Sequence, residues 1–434
     1  MTGEWKRVTL ADTCVFLNRG ITPSYTEFGG VRILNQKCVR DVVSMIPAKR
    51  TDLTKKTVPT DKFLQLFDIL VNSTGEGTLG RVAQIKVVSE PTTVDSHVTI
   101  LRPNMELVDP SFLGFLVRKL QPEIKQLAEG STGQTELSRI RLGSLEVDIP
   151  PLPIQKTIAH ILGTLDDKID LNRRMNATLE EMARAIFKSW FVDFDPVRAK
   201  MDSRAPFGMD QETAALFPDG FQDSKMGLIP RGWDVCPLSE KIQVFSGGTP
   251  KTSELIYWNG DIPWYSVRDA PSEANVWVIH TDKYVTKLGI TNSAAQVFPK
   301  KTTIISARGT VGKLALTAVP MAMNQSCYGV RGITGYGDYF TYYSLREATA
   351  QLQQRAHGTV FDTITTETFK TLDCIFPKPR ITAAFDKLVE PLLDKILTNL
   401  HQSRTLATLR DTLLPKLLSG ELSVEHVNLD HVSC

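Results

Sequence analysis

Two glycine-punctuated runs are where chemistry would first be sought in this chain: Gly75-Glu76-Gly77-Thr78-Leu79-Gly80 and Ala307-Arg308-Gly309-Thr310-Val311-Gly312-Lys313. The first fits the GxGxxG spacing of a dinucleotide site. Such a site needs a strand, a glycine turn and then a helix whose N-terminus meets the pyrophosphate. The turn instead leads into Arg81-Val82-Ala83-Gln84-Ile85-Lys86-Val87-Val88, another strand-like run. The second run lacks the first glycine, and Leu314 stands where a phosphate-binding loop needs Ser or Thr after its lysine. Both runs therefore read as tight strand–loop–strand turns in which glycine supplies positive φ. Either these turns are purely structural, or their free amides meet phosphate oxygens with help from Arg81 and Lys313.

No other stretch offers reaction chemistry. No nucleophile–base arrangement stands out, and the seven histidines show no HExxH spacing. The chain has neither an Asn-Pro-Pro-aromatic motif for amino-group methylation nor a complete ATPase motif. No catalytic and no metal-ligating residue is assigned, which favours a recognition or scaffold role. Cys14, Cys38, Cys236, Cys327, Cys374 and Cys434 form no CxxC pair and read as reduced thiols of a cytosolic protein. The start, MTGEWKRVTL, lacks the apolar stretch of a signal peptide. No apolar run approaches the roughly 20 residues of a membrane span, so a soluble, cytoplasmic protein with no membrane partner is expected. A net charge of +2 over 434 residues announces no polyanion partner. It argues only weakly against one, because basic residues can gather on a single face.

The residue types suited to DNA are polar, basic and aromatic side chains in turns. In the first half these are Arg19, Thr22, Lys37, Arg40, Ser73, Thr78 and Arg81. In the second they are Lys251, Trp264, Tyr265, Arg268, Ser306, Arg308, Thr310, Lys313, Asn324 and Gln325. Arg and Lys pair with guanine edges, and Asn and Gln with adenine edges; all of them can equally meet phosphates.

The elements that position these residues occur twice. Trp5 and Leu10 recur as Trp233 and Leu238, Thr22-Pro23 as Thr249-Pro250, and Val39-Arg40-Asp41 as Val267-Arg268-Asp269. Ile149-Pro150 recurs as Phe376-Pro377, and Asp167-Lys168-Ile169 as Asp394-Lys395-Ile396. So long a period means two copies of a whole domain with its connecting helix. Residues 1–150 and 229–378 each read as an α+β domain of short strands. The runs 67–71, 81–85, 98–101 and 302–305 are strand-like, and helices are expected at Pro110–Leu127 and near Tyr339–Arg355. Asp109 caps the first of these helices and Pro110 takes its first position.

Beyond Pro153 the texture becomes helical. Leu162, Leu165, Ile169, Asn172, Asn176, Leu179, Ala183, Ile186 and Trp190 alternate steps of three and four, a heptad seam. Val389, Leu392, Ile396, Asn399, Ser403, Leu406, Arg410, Leu413 and Leu417 repeat it, with Arg410 where the first copy has Ala183. Two matched seams most simply pack against each other. Asn172 and Asn399 either set the register from inside that seam or lie on the surface of slightly irregular helices. Pro391 is expected near the start of the second helix, and Pro415 is expected to kink or end it. The resulting order is a domain over 1–150, a helix over 151–193, a linker over 194–228, a domain over 229–378, a helix over 379–425 and a tail over 426–434.

On the paired W-x4-L starts, the GTxG turns, the stretch from Ile149 to Lys200 and the ending LLPKLLSGEL, the chain resembles the specificity subunits of type I restriction–modification systems. The second copy departs from the pattern, with Phe376-Pro377-Lys378-Pro379-Arg380-Ile381 replacing the proline-rich exit and lacking its Gln. The resemblance implies two target-recognition domains with pseudo-two-fold symmetry, each reading half of a split duplex site. Two long antiparallel coiled-coil helices would act as spacer and as docking surface for two methyltransferase subunits, with two endonuclease/translocase subunits joining. S-adenosylmethionine, ATP and Mg would then belong to those partners, and this chain would bind no cofactor. Two alternatives are a stand-alone DNA-modifying or DNA-cleaving enzyme with a divergent site, and a scaffold that binds protein only.

Overall fold

A computed structural model describes residues 4–40, 42–45, 48–129, 135–333, 335–355 and 363–424. Asp41, Cys434 and the tail over 426–434 lie outside the described residues. The chain divides into two units, Met1–Lys168 with Leu406–Cys434, and Ile169–Thr405. Each long helix therefore contributes to both.

In the first unit, strand Lys6–Thr9 pairs antiparallel with Glu146–Ile149, tying the start of the domain to its end. A four-stranded antiparallel sheet runs in the order Cys14–Arg19, Val98–Pro103, Ile69–Asn72, Val82–Gln84. A second sheet runs Tyr25–Thr26, Lys49–Thr51, Val31–Leu34, Thr92–Val94, its last pair parallel. Strand Ile69–Asn72 is buried along its whole length, its apolar run Ile69-Leu70-Val71 in the core and the Asn72 amide hydrogen-bonded to Gln36 O and Thr78 O. The helix expected over Pro110–Leu127 is two helices, Pro110–Lys119 and Gln121–Gln126. Pro122 lacks the N–H to continue the first, so the chain restarts at Leu120. Asp109 caps the first helix by accepting from Phe112 N at 2.9 Å.

The second unit repeats this plan. Asp234–Pro237 pairs with Asp373–Phe376. The main sheet runs Ile242–Ser246, Cys327–Gly332, Thr303–Ser306, Leu314–Thr317, with Trp277–Val278 added in parallel at the edge. The smaller sheet runs Lys283–Val285, Trp258–Tyr265, Ala322–Met323, again ending in a parallel pair. Helix Asp338–Arg355 covers the main sheet. Residues 194–228 are ordered: they form helices Asp195–Met201 and Gln211–Leu216 and most of a hairpin that ends at Pro230, and bury Phe194, Val197 and Phe217 in the unit's core.

The long helices are Leu152–Phe191 and Pro379–Leu418, of 40 residues each. Within the second unit they run antiparallel: Asn172 meets Gln402 and Ser403, whereas Phe187 packs on Phe385. Leu162, Ile169, Ile396, Asn172 and Asn399 are buried, and Leu165, Leu179, Ile186, Leu392, Leu406 and Leu413 are half-buried. Glu180 and Phe187 lie deeper than their neighbours Leu179 and Ile186, so the seam rotates by one residue there. Asn172 donates to Gln402 Oε1 (3.0 Å) and Ser403 Oγ (3.1 Å), and Asn399 donates to Asn176 Oδ1 (2.9 Å). Both asparagines are therefore inside, where a slipped register would leave their amides buried without partners. In the first unit, Arg410 is buried against Asp166 at 2.6 Å. The second helix passes both Pro391 and Pro415, which are exposed, and stops at Leu418 rather than near 425. Gly420, at φ +74°, supplies the left-handed turn that ends it.

The two domain exits are held by different residues doing one job. In the first, Gln155 accepts from Asp109 N at 2.8 Å and donates to Pro150 O at 2.8 Å. In the second, which lacks that Gln, Asp386 one turn further on accepts from Phe340 N (2.8 Å) and Tyr339 N (3.2 Å), capping helix Asp338–Arg355. Burial pushes the Asp386 carboxyl up to about 6, against the pull of those N–H groups. Because the folded carboxyl holds its proton more tightly than an unfolded Asp, its stabilising share is complete below about pH 4 and lost as pH rises through 6. Asp386→Asn should therefore gain on the wild type by about 1–3 kcal/mol between pH 4.5 and pH 7.5. Urea unfolding at the two pH values measures this, and a difference that ignores pH would refute it.

Candidate nucleic-acid interface

In each domain one backbone frame draws three loops together. In the first, Asp95 N donates to Leu34 O (2.9 Å), Ser73 N to His97 O (2.8 Å), Leu137 N to Ser73 O (2.8 Å) and Ile21 N to Val94 O (3.0 Å). In the second, the same roles fall to Asn324 N to Tyr265 O (2.9 Å), Ala307 N to Ser326 O (2.8 Å), Ile364 N to Ala307 O (3.0 Å) and Gly248 N to Met323 O (2.9 Å). The loop after the parallel-paired strand, the glycine turn and the loop after its parallel partner thus meet at one end of the sheets. Such loops, held by a rigid scaffold, are where binding side chains belong.

The glycine turns join antiparallel strands, as their sequence predicts. Gly77 and Gly80 have φ of +70° and +77°, and Gly309 and Gly312 have +79° and +83°. Asn72 closes the first turn by donating to Gln36 O (2.9 Å) and Thr78 O (3.1 Å). Ser306 closes the second by accepting from Lys313 N at 2.8 Å. The turn Asp95–His97 and the turn Asn324–Ser326 use one device, a side-chain Oδ1 accepting the N–H two residues on, at 3.0 and 3.1 Å. Burial pushes the Asp95 carboxyl up, opposed by that N–H and by the His97 ring.

The residues singled out for DNA contact separate by exposure. Four of them are interior, which corrects their assignment to a DNA surface. Ser73 is buried with its hydroxyl 2.6 Å from Thr99 Oγ1, and Ser306 is buried beneath its turn. Trp264 is buried and donates to Gly248 O at 2.9 Å, and Tyr265 is core, its hydroxyl pushed well above the ordinary range by burial. The two are adjacent on strand Trp258–Tyr265 and so point to opposite faces, each face covered by its own apolar cluster, and neither side chain lies on a DNA surface. Others face outward but are engaged: Arg19 with Glu136 and with Leu137 O (2.7 Å), Arg81 with Gly77 O (2.8 Å), and Lys251 with Glu254 (3.1 Å). Thr78 is half-buried against Gln36. Lys37, Arg40, Arg268, Arg308 and Lys313 are exposed, and none has an ion pair among the described residues. Thr22, Thr310 and Gln325 are exposed and Asn324 is half-buried. The frame also brings in Gln36, Thr74, His97, Arg139 and Thr249, which were not singled out. Only long-range pairing places them, such as Thr74 Oγ1 at 2.8 Å from His97 Nδ1 and Arg139 donating to Asn18 Oδ1 at 2.7 Å.

Both copies of this arrangement, residues 3–181 and 230–401, match one family, described as the type I restriction modification DNA specificity domain. The chain belongs to this family. A relative named the HindI specificity subunit of a type I restriction enzyme, from Haemophilus influenzae, is 28% identical over 96% of this chain and 100% of its own length. The MjaIX specificity subunit from Methanocaldococcus jannaschii is 26% identical, covering 80% of this chain and 76% of its own. The fold is that of the S subunit of a type I restriction–modification system from M. genitalium, at a TM-score of 0.54 and 18% identity over 96% of each chain.

As a member of the DNA specificity family, the chain is a DNA-recognition protein with two recognition domains, and the divergence between its two loop sets becomes meaningful. Thr74 of the first set is Arg308 in the second, Asp95 is Asn324, and Arg81 is Lys313. The shared backbone frame keeps each pair in place while the donor and acceptor pattern changes.

Proposed function

We propose that this chain is the non-catalytic specificity subunit of a type I restriction–modification complex. Each domain reads one half of a bipartite site in duplex DNA. The two long helices set the unspecified spacer and dock two methyltransferase subunits, and two endonuclease/translocase subunits complete the assembly in the cytoplasm. S-adenosylmethionine, ATP and Mg serve those partner subunits. What supports this reading above all is one backbone frame carrying unlike side chains in two copies. A single site would need one copy, and a symmetric site would need like loops.

Adenine-methylation mapping in cells carrying this chain with its methyltransferase subunits tests the reading. A split motif is expected, and removal of residues 229–378 should abolish it. Unsplit methylation by an active complex would refute the assignment. Cleavage or methylation by the purified chain alone would favour the stand-alone enzyme instead.

Exposed lysines beside the turns serve phosphates in this reading. Lys313→Ala should weaken binding of the complex to all sequences alike and reduce the slope of log affinity against log salt by about 1. A changed base preference with an unchanged slope would mean that Lys313 reads a base.

A further inference from the structure

An arginine at one equivalent position ties each domain to the long helices. Arg118 on helix Pro110–Lys119 and Arg346 on helix Asp338–Arg355 stand at the same spacing as Trp5 and Trp233, which makes them equivalent residues of the two copies. In the first unit Arg118 Nη1 lies 3.5 Å from Asp166 Oδ2 of the first long helix, and Arg410 Nη1 of the second long helix donates to Asp166 Oδ1 at 2.6 Å. In the second unit Arg346 Nη1 donates to Glu180 of the first long helix, and its Nη2 donates to Glu273 Oε2 at 3.1 Å. Glu273 belongs to the loop after strand Trp258–Tyr265, which also carries Arg268. That loop meets the helices again through Asn275, whose Oδ1 accepts from Asn176 Nδ2 at 3.3 Å, and Asn176 in turn accepts from Asn399 of the second long helix at 2.9 Å. Glu180, Asn176 and Arg410 are buried, and Arg118, Asp166 and Arg346 are half-buried.

The rings of Phe187, Phe385 and Tyr343 also hold the second domain on these helices, but apolar burial is non-directional and resists separation more than sliding. A guanidinium paired with a carboxylate has a fixed geometry. Its net contribution to stability is small where desolvation offsets the attraction, so what such a pair adds is position. Position matters here at the scale of one base pair, since neighbouring pairs in duplex DNA are about 3.4 Å apart and turned by about 35°. We infer that Arg118 and Arg346 are positioning residues, one in each domain, that fix where the domain sits on the long helices and so hold the spacer between the half-sites to a single length. The inference rests on the bipartite reading and adds the contacts that make the spacing sharp.

The test is methylation by the whole complex of duplexes that carry both half-sites at the native spacer and at spacers one base pair shorter or longer. In Arg346→Met and in Arg118→Met the preference for the native spacer should fall by roughly 10- to 150-fold, the contribution of one hydrogen bond to a charged group. The bases required in both half-sites should stay the same. Arg346→Lys keeps a charge beside Glu180 and so protects the fold. A single ammonium cannot hold Glu180 and Glu273 in one fork, so the spacer preference should still weaken. A preference unchanged in all these variants would overturn the inference. So would methylation that falls by the same factor at every spacer, since the arginines would then serve stability alone. If the wild-type complex gave no split motif, or methylated every spacer alike, the bipartite reading would fall first, separately from the arginines.

Discussion

Truncating Phe187 to alanine is expected to lower the stability of the unit spanning Ile169–Thr405 by about 3–5 kcal/mol, the range for large aromatic truncations in a core. The Phe187 ring lies 5.1 Å from Phe191, 5.6 Å from Phe385, 5.7 Å from Tyr343 and 5.9 Å from Phe340, centroid to centroid. These rings come from the two long helices and from helix Asp338–Arg355, so a cavity there loosens three elements at once. Tightly interlocked rings cannot collapse to refill it. Urea unfolding followed by tryptophan fluorescence is a suitable readout, because Trp190 and Trp233 lie in the same cluster. A loss below about 1 kcal/mol would mean that the three elements hold together without this ring.

Lengthening the helices should change which DNA is modified without changing what each domain reads. Seven residues added to each long helix, opposite one another beside Asn172 and Gln402, keep the heptad register and add about 10 Å of helix. At about 3.4 Å per base pair, the unspecified spacer should grow by about three base pairs. Both half-sites should be retained in the methylation motif. A lengthened chain that still methylates with the original spacer would show that the helices do not set the distance.

Several elements of this protein were legible residue by residue. The heptad seam showed because its period is local, and Asn172 and Asn399 stood out as polar residues within it. The glycine turns showed because positive φ demands glycine at Gly77, Gly80, Gly309 and Gly312. The helix over Pro110–Leu127 was misjudged at its middle, where Pro122 outweighed the apolar pattern. Trp264 and Tyr265 were misjudged for another reason. Aromatic residues suit both a DNA surface and a buried strand, and a turn-rich stretch does not reveal which face a strand presents.

The chain by itself determined the duplication, the paired seams and the family, because each is carried by a period or a run of adjacent residues. Tertiary structure alone decided which side chains gather at each loop cluster. Gln36, His97 and the turn that bears Thr74 and Thr78 are distant in sequence and meet only through backbone pairing across the parallel strands and the glycine turn. A hydrogen bond between residues tens of positions apart leaves no trace in spacing, yet it fixes which side chains stand beside one another.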